Sequence, residues 1–204
     1  MCYSSYASLW ALSIGILGSA LLAPIDVSLS VIFAFVTIMQ LYDALFWTFP
    51  EHTPINAIVT KLAMMSNHLQ PLVIAASIYF LKGLPLQSTS FSLLAAYFGA
   101  VLVYTVIHYG DVKYTTVTPD SDPSLDWEWN YKKGNSVVYS LFLATITALF
   151  LQHYEAPIGL ILAAISVLTV CVAIWKRSKH TTGRFWCHYA AYIPASLFVF
   201  LSTM

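Results

Sequence analysis

Six residues that hydrocarbon tolerates poorly lie in one stretch, Met39 to Pro71: Gln40, Asp43, Lys61, Asn67, His68 and Gln70. The two segments that carry them are otherwise apolar and are joined by the connection 48–53. Ionisable and amide groups in such a setting pair with one another or face water, and they mark routes for protons, ions or solutes. Asp43 lies four residues before Trp47, so its Cα sits about 6–9 Å inside the end of its helix at 1.5 Å per residue. Helical side chains tilt toward the N-terminus, which here is on the far side, so the carboxylate is aimed deeper. It needs a partner, a proton or water. Lys61, seven residues after Pro54, reaches a matching depth of roughly 10 Å in the next, antiparallel helix. Two readings stand side by side: it pairs with Asp43, or its stem snorkels back to the near surface.

Gln40 is one turn from Asp43 on the same face, which makes a polar stripe. Deeper lies Ser66-Asn67-His68-Leu69-Gln70-Pro71. Pro71 removes the donor that the Asn67 carbonyl would use, which predicts a kink and a carbonyl to be satisfied by protein or water. Tyr97, Tyr104 and His108 form a stripe on the fourth helix, and His188, Tyr192 and Ser196 another on the last. Asp43, Lys61, His108 and His188 fall at one level. The candidate pathway residues are thus Gln40, Asp43, Lys61, Asn67, His68, Gln70, His108, His188 and Tyr192. The plainer alternative is that Ser66 and Asn67 only bond neighbouring helices and that each histidine only packs.

The elements that must position these groups are membrane helices. The 204 residues are 59% hydrophobic and 9% charged, with a mean hydropathy of +0.74. A bilayer core of roughly 30 Å needs about 20 apolar residues per helix, and about seven such segments use nearly the whole chain. They are expected at 6–24, 27–47, 54–81, 91–109, 135–153, 157–176 and 184–203, an all-α polytopic bundle and one transmembrane domain. Thr53 can cap the third helix, with Pro54 at its first position. The first segment reads as a retained helix, since no basic residue precedes it and no small-residue cleavage site follows. Cys2, Cys171 and Cys187 show no paired or metal-type spacing.

Basic residues set the orientation. Lys61, Lys113, Lys132, Lys133, Lys176, Arg177, Lys179 and Arg184 lie near the side of the N-terminus and of the connections 48–53, 110–134 and 177–183, while the other side has only Lys82. The N-terminus should therefore be cytoplasmic and the C-terminus outside. That is opposite to seven-helix receptors and rhodopsins, and no lysine inside the last helix is available for a retinal Schiff base. The connection 110–134 carries Asp120, Asp122, Asp126 and Glu128 among Trp127, Trp129 and Tyr131. Its start at Asp122-Pro123-Ser124 suggests a short interfacial helix that anchors at the membrane surface. The basic connection 176–184, with His180, sets topology, with anionic lipid as a secondary partner. Ala11, Gly15 and Ser19 recur four apart, as expected for close packing inside the bundle. Aligning Pro71 with Pro194 places Lys61 on Arg184 and pairs Trp47 with Trp175. This suggests parallel units 6–81 and 135–203 joined by helix 91–109.

Cys2-Tyr3-Ser4, Met39-Gln40 with Asp43 and Trp47, Asn56, Gln70-Pro71 and Trp186-Cys187 carry a further signal. In these residues the chain resembles an uncharacterised group of multi-pass membrane proteins from large DNA viruses of algae and protists and from some eukaryotes. The resemblance implies a polytopic protein and a viral membrane setting, and no activity. The three-plus-one-plus-three layout is similar to SWEET sugar transporters, but their proline-glutamine signature is absent and their orientation opposite, so their sites do not transfer.

Three functions are weighed. A channel or transporter for a small solute or ion, proton-linked through Asp43 and the histidines, predicts a wet polar cavity. A structural or assembly protein of a cellular or viral membrane predicts the same groups bonded to one another. An intramembrane metal-dependent hydrolase would draw ligands from Asp43, His108 and His188, yet Tyr192 stands where that family's second helical histidine would be. No catalytic constellation, cofactor or resident metal is expected, and no nucleotide loop, haem attachment motif or nucleophile elbow occurs. The expected partners are the bilayer and a small solute or ion, with self-association open and no nucleic acid.

Overall fold

The computed structural model describes residues 4–117, 125–176 and 182–203. Asp120, Asp122, Pro123, Ser124, Arg177, Lys179 and His180 lie outside them, as do Cys2 and Tyr3 and the side chains of Lys176 and Arg184. The described chain is mostly helical: α1 (Ser5–Leu22), α2 (Val27–Thr48), α3 (Pro54–Leu81), α4 (Ser88–His108), α5 (Asn135–His153), α6 (Ile158–Lys176), α7 (Thr182–Ala190) and α8 (Ile193–Ser202). Between α4 and α5 come β1 (Thr115–Val117), β2 (Leu125–Trp127) and a 3-10 turn, Glu128–Tyr131. Among the described residues α1, α2, α4 and α5 are long and apolar enough to cross a membrane. The 28-residue α3 is longer than any of these, but its interior carries Lys61, Ser66, Asn67, His68 and Gln70.

Local chemistry sets the helix starts. Ser4 Oγ accepts from the Ala7 N–H at 3.1 Å, Asp26 Oδ1 from the Leu29 N–H at 3.0 Å and Thr53 Oγ1 from the Asn56 N–H at 3.2 Å. Each satisfies an amide that has no partner within its own helix. At one end of the bundle, Lys82 Nζ meets Asp26 Oδ2 at 3.0 Å, Ser28 meets the Tyr154 hydroxyl at 2.8 Å, and Ser90 meets Gln152 at 2.5 Å. The connection 48–53 and the β1–β2 hairpin meet at the opposite end.

Two elements differ from expectation. The last helix is not continuous over 184–203: it is interrupted at Ala191–Tyr192, so α7 and α8 are separate. Pro194 has no N–H to carry the ladder back to Ala190, and it falls in the first turn of α8, where a missing donor is tolerated. The Tyr192 N–H turns to the Tyr189 carbonyl at 3.1 Å, an i−3 bond that tightens the chain. Where an interfacial helix was expected, the described residues form an antiparallel pair in the register Thr115↔Trp127, Thr116↔Asp126 and Val117↔Leu125. The first and last halves also differ at the aligned prolines, because α3 runs unbroken through Pro71.

The small-residue stripe of α1 is used within the chain. α1 packs on α2 and α8, with Ala11, Gly15 and Ser19 buried. A Cβ at Gly15 would lie 2.5 Å from the Thr37 side chain and 2.8 Å from the Ala191 carbonyl, and one at Gly18 would run into the Ala195 backbone nitrogen. A Gly18→Val change must push α8 backbone aside, and overpacking of this kind costs about 1–3 kcal/mol. The expected outcome is a lower thermal midpoint of the purified protein. An unchanged midpoint would show that α8 is not seated on α1.

Candidate functional site: a capped polar core

α2 places Thr37, Gln40 and Asp43 on one stripe at helical spacing, and all three are fully buried. Asp43 Oδ1 accepts from Trp127 Nε1 at 3.2 Å. The indole comes from β2, and it stacks on Trp129 with ring centroids 4.9 Å apart and planes 23° from parallel. Trp127 and Trp129 are completely buried, so these rings fill the mouth of the bundle and do not sit among headgroups. The Tyr104 hydroxyl donates to the Trp129 carbonyl and ties the plug to α4.

The hairpin is held on its other side by Asn56. The Thr115 N–H donates to Asn56 Oδ1 at 3.0 Å, and Asn56 Nδ2 donates to the Thr115 carbonyl at 3.0 Å and to the Phe49 carbonyl at 3.1 Å. The carboxamide takes the place of a neighbouring strand's peptide group. Thr60 Oγ1 completes the knot by donating to Thr115 Oγ1 at 3.1 Å. Strand alternation does the rest: Thr115 and Trp127 face inward while their neighbours Thr116 and Asp126 face out.

Deeper in the core the amides serve one another. Trp186 Nε1 donates to Gln70 Oε1 at 2.9 Å, and Gln70 Nε2 and Asn67 Nδ2 both approach Cys187 Sγ at 3.5 Å. The Tyr139 hydroxyl lies 2.6 Å from Asn67 Oδ1 and 3.0 Å from Asn130 Oδ1, and Asn135 Nδ2 donates to the Asn130 carbonyl at 2.8 Å. His68 is buried edge-on between the rings of Tyr104 and Tyr139, with neither ring nitrogen partnered among the described residues. The Tyr97 hydroxyl donates to the His68 carbonyl at 2.7 Å, beside the gap that Pro71 leaves in the ladder.

The remaining expected residues lie elsewhere. Lys61 Nζ sits 4.7 Å over the Tyr109 ring, and no ion pair joins it to Asp43 among the described residues. His108 Nε2 donates to the Lys133 carbonyl at 3.0 Å on the rim. His188 packs against Tyr189 and Tyr192 with centroids 5.7 and 5.4 Å away. Among the described residues no group of three His, Cys, Asp or Glu side chains is placed to share a metal. The shared level of Asp43, Lys61, His108 and His188 therefore does not become one constellation.

Thr37 Oγ1 and both polar atoms of Gln40 are buried without a hydrogen-bond partner among the described residues. The interruption at Ala191–Tyr192 lies beside this stripe, because Gly15 admits Thr37 and the Ala191 carbonyl to the same small space. Pro194 also leaves the Ala190 carbonyl without its helical donor. An unmet buried polar group costs about 1–3 kcal/mol, so this is where water, an ion or a polar solute gains most by binding. Interrupted helices with exposed backbone groups serve that purpose in transporters.

Trp127, Asn56, Thr37, Tyr139 and Cys187 are parts of the core that residue-by-residue reading did not select as pathway groups. Asn135 and Tyr139, one turn apart at the start of α5, were a readable polar pair. Trp127 gave no such signal, since an indole in a connection reads equally well as an interface anchor. No protein-family model, no curated protein and no solved structure matches the chain, so the site is read from its own geometry.

Replacing Asn56 by Ala strands the buried Thr115 N–H and carbonyl, at a cost of about 1–3 kcal/mol. Amide exchange at 115–117 and 125–127 should accelerate while that of α2 stays protected, and unchanged hairpin protection would refute the anchoring role. Acid should act on the same element through Glu128. Burial raises its carboxyl pKa, but the Lys113 N–H, the Lys132 ammonium and the Tyr114 N–H outweigh this and hold it below the usual carboxylate range. A depressed folded pKa means the contribution is present at neutral pH and is lost as pH falls through the lowered value. Hairpin protection, corrected for intrinsic exchange rates, should hold from about pH 7 to about pH 5 and fall below that, as the pH passes the ordinary carboxylate range toward the lowered value. Glu128→Gln should flatten that dependence.

Proposed function

We propose that this chain is a seven-pass membrane protein that carries a small polar solute or ion along the Thr37–Gln40–Asp43 stripe. The observation that supports this most is Gln40, a fully buried carboxamide with neither polar atom bonded among the described residues, one turn from the Thr37 that shares a small space with the Ala191 carbonyl. A packing residue has no use for such a group, whereas a binding residue needs one that is not already occupied. Asp43, one turn away, supplies a carboxylate that can hold a cation or a proton. The N-terminus is cytoplasmic in this reading, because Lys61, Lys113, Lys132 and Lys133 gather at the hairpin end and Lys82 stands at the other. The hairpin is then a cap over the cytoplasmic mouth, and Trp127 must leave Asp43 before anything passes.

A scaffold role is the second reading. It is favoured by the closed set Asn67, Tyr139, Asn130 and Asn135, in which groups suited to a pathway are bonded to one another. Reconstitution into liposomes separates the two. The probes are a pH-sensitive dye for protons, sodium and potassium for cations, and urea and glycerol for neutral solutes. The wild type should pass at least one probe, Gln40→Leu and Asp43→Asn should lower that flux at least about tenfold, and Asn56→Ala should raise it, a tenfold change being about 1.4 kcal/mol of barrier. Equal flux from all four proteins, or none from any, would remove the transport reading.

A further inference from the structure

The outer surface of the α4–α5 pair carries a groove of about 470 Å³, open to the exterior, lined by Gly99, Ala100, Val103, Ile107, Val137 and Val138. It reaches the bundle end at His108 and Lys133. Gly99 and His108 are nine residues apart on α4, so the groove runs about 14 Å along the axis. The groove is lined mostly by apolar side chains over that length, so a single hydrocarbon chain can lie along it.

Its two ends differ in chemistry. At the inner end, a Cβ on Gly99 would meet nothing within 4 Å, so the groove floor is open there. At the outer end stands Lys133, exposed and in no ion pair among the described residues. The neighbouring Lys132 is occupied by Glu128 at 3.0 Å and by the Asp111 carbonyl at 3.3 Å. His108 Nε2 donates to the Lys133 carbonyl, which holds the backbone of this turn against α4 at the end of the groove that Lys133 lines. An apolar slot with one cation at its headgroup end matches a lipid with a long tail and a negative head.

We infer that the α4–α5 groove is a binding site for one anionic phospholipid, its acyl chain lying from Val137 to Gly99 and its phosphate on Lys133. This site is separate from the Thr37–Gln40–Asp43 stripe and does not depend on the transport reading. Ordinary boundary lipid would cover the same surface without preferring a headgroup. The site requires that preference, and requires it to depend on Lys133.

Native mass spectrometry of the full chain in detergent, titrated with phosphatidylglycerol, phosphatidylserine or phosphatidylcholine, tests this. The wild type should retain one copy of an anionic lipid at least about tenfold more tightly than phosphatidylcholine. Lys133→Gln should erase that preference and leave phosphatidylcholine binding unchanged. Gly99→Phe, and Gly99→Leu as a smaller filler, should lower retention of every lipid, with the thermal midpoint of the lipid-free protein confirming that each variant is folded. Glycerophosphate, which has the phosphate without a chain, should not displace the bound lipid. Equal retention of all three lipids by the wild type, or unchanged anionic preference in Lys133→Gln, would overturn the proposal. So would unchanged retention in a folded Gly99 variant, or displacement by glycerophosphate.

Discussion

A carboxylate enclosed by apolar helices must be met by donors, and the hydrogen bond from Trp127 to Asp43 answers that requirement from outside the helical bundle. Its consequences spread through the structure. To bring the indole to Asp43, the connection after α4 must fold back as a hairpin with Trp127 on its inner face. To keep the hairpin there, Asn56 must replace a strand on its other edge, and Tyr104 must hold the Trp129 carbonyl. α2 and α4 thus each contribute one polar group to seating the plug, Asp43 and Tyr104, and α3 contributes two, Asn56 and Thr60. Its outward face, by the same alternation, carries Asp126 and Thr116 toward solvent.

Below the plug, the polar residues divide into two populations with different physical meaning. Asn67, Gln70, Tyr139, Asn130, Asn135 and Trp186 form a hydrogen-bonded set that locks α3, α5 and α7 together. Such a network rigidifies a bundle when its members are satisfied. Thr37 and Gln40 belong to the other population, buried but unbonded among the described residues. They stand where α1 is reduced to glycine and where the helical run from α7 to α8 is interrupted. Close approach at Gly15 and Gly18 and the broken ladder at Pro194 are two sides of one arrangement. Small residues let the irregular backbone come inward, and the irregular backbone brings the Ala191 carbonyl beside Thr37.

Pro71 and Pro194 illustrate why identical local signals end differently. Both lack an N–H and both follow amphipathic, polar-bearing segments. At Pro71 the helix continues, with the Tyr97 hydroxyl supplying a donor to the adjacent His68 carbonyl. At Pro194 the helix stops and restarts, and the freed region is pressed against the glycines of α1. The proline sets the loss of one hydrogen bond; the neighbours decide whether the chain absorbs it or turns.

What the sequence by itself determined is local and compositional. Apolar runs, capping side chains and prolines placed the helix boundaries from α1 to α6, and the position of Asp43 established that a buried acid would need company. The identity of that company was decided only in three dimensions, because Trp127 lies 84 residues away and reaches Asp43 through the rotation of a hairpin anchored by Asn56. Likewise, the sequence assembled Asn67, Gln70, Gln40 and Asp43 as one polar set. Tertiary packing separated those that bond each other from those left unmet. A hydrogen bond forms only over about 3 Å and a narrow range of angles, so it depends on how helices turn toward one another. No spacing within a single helix encodes that rotation.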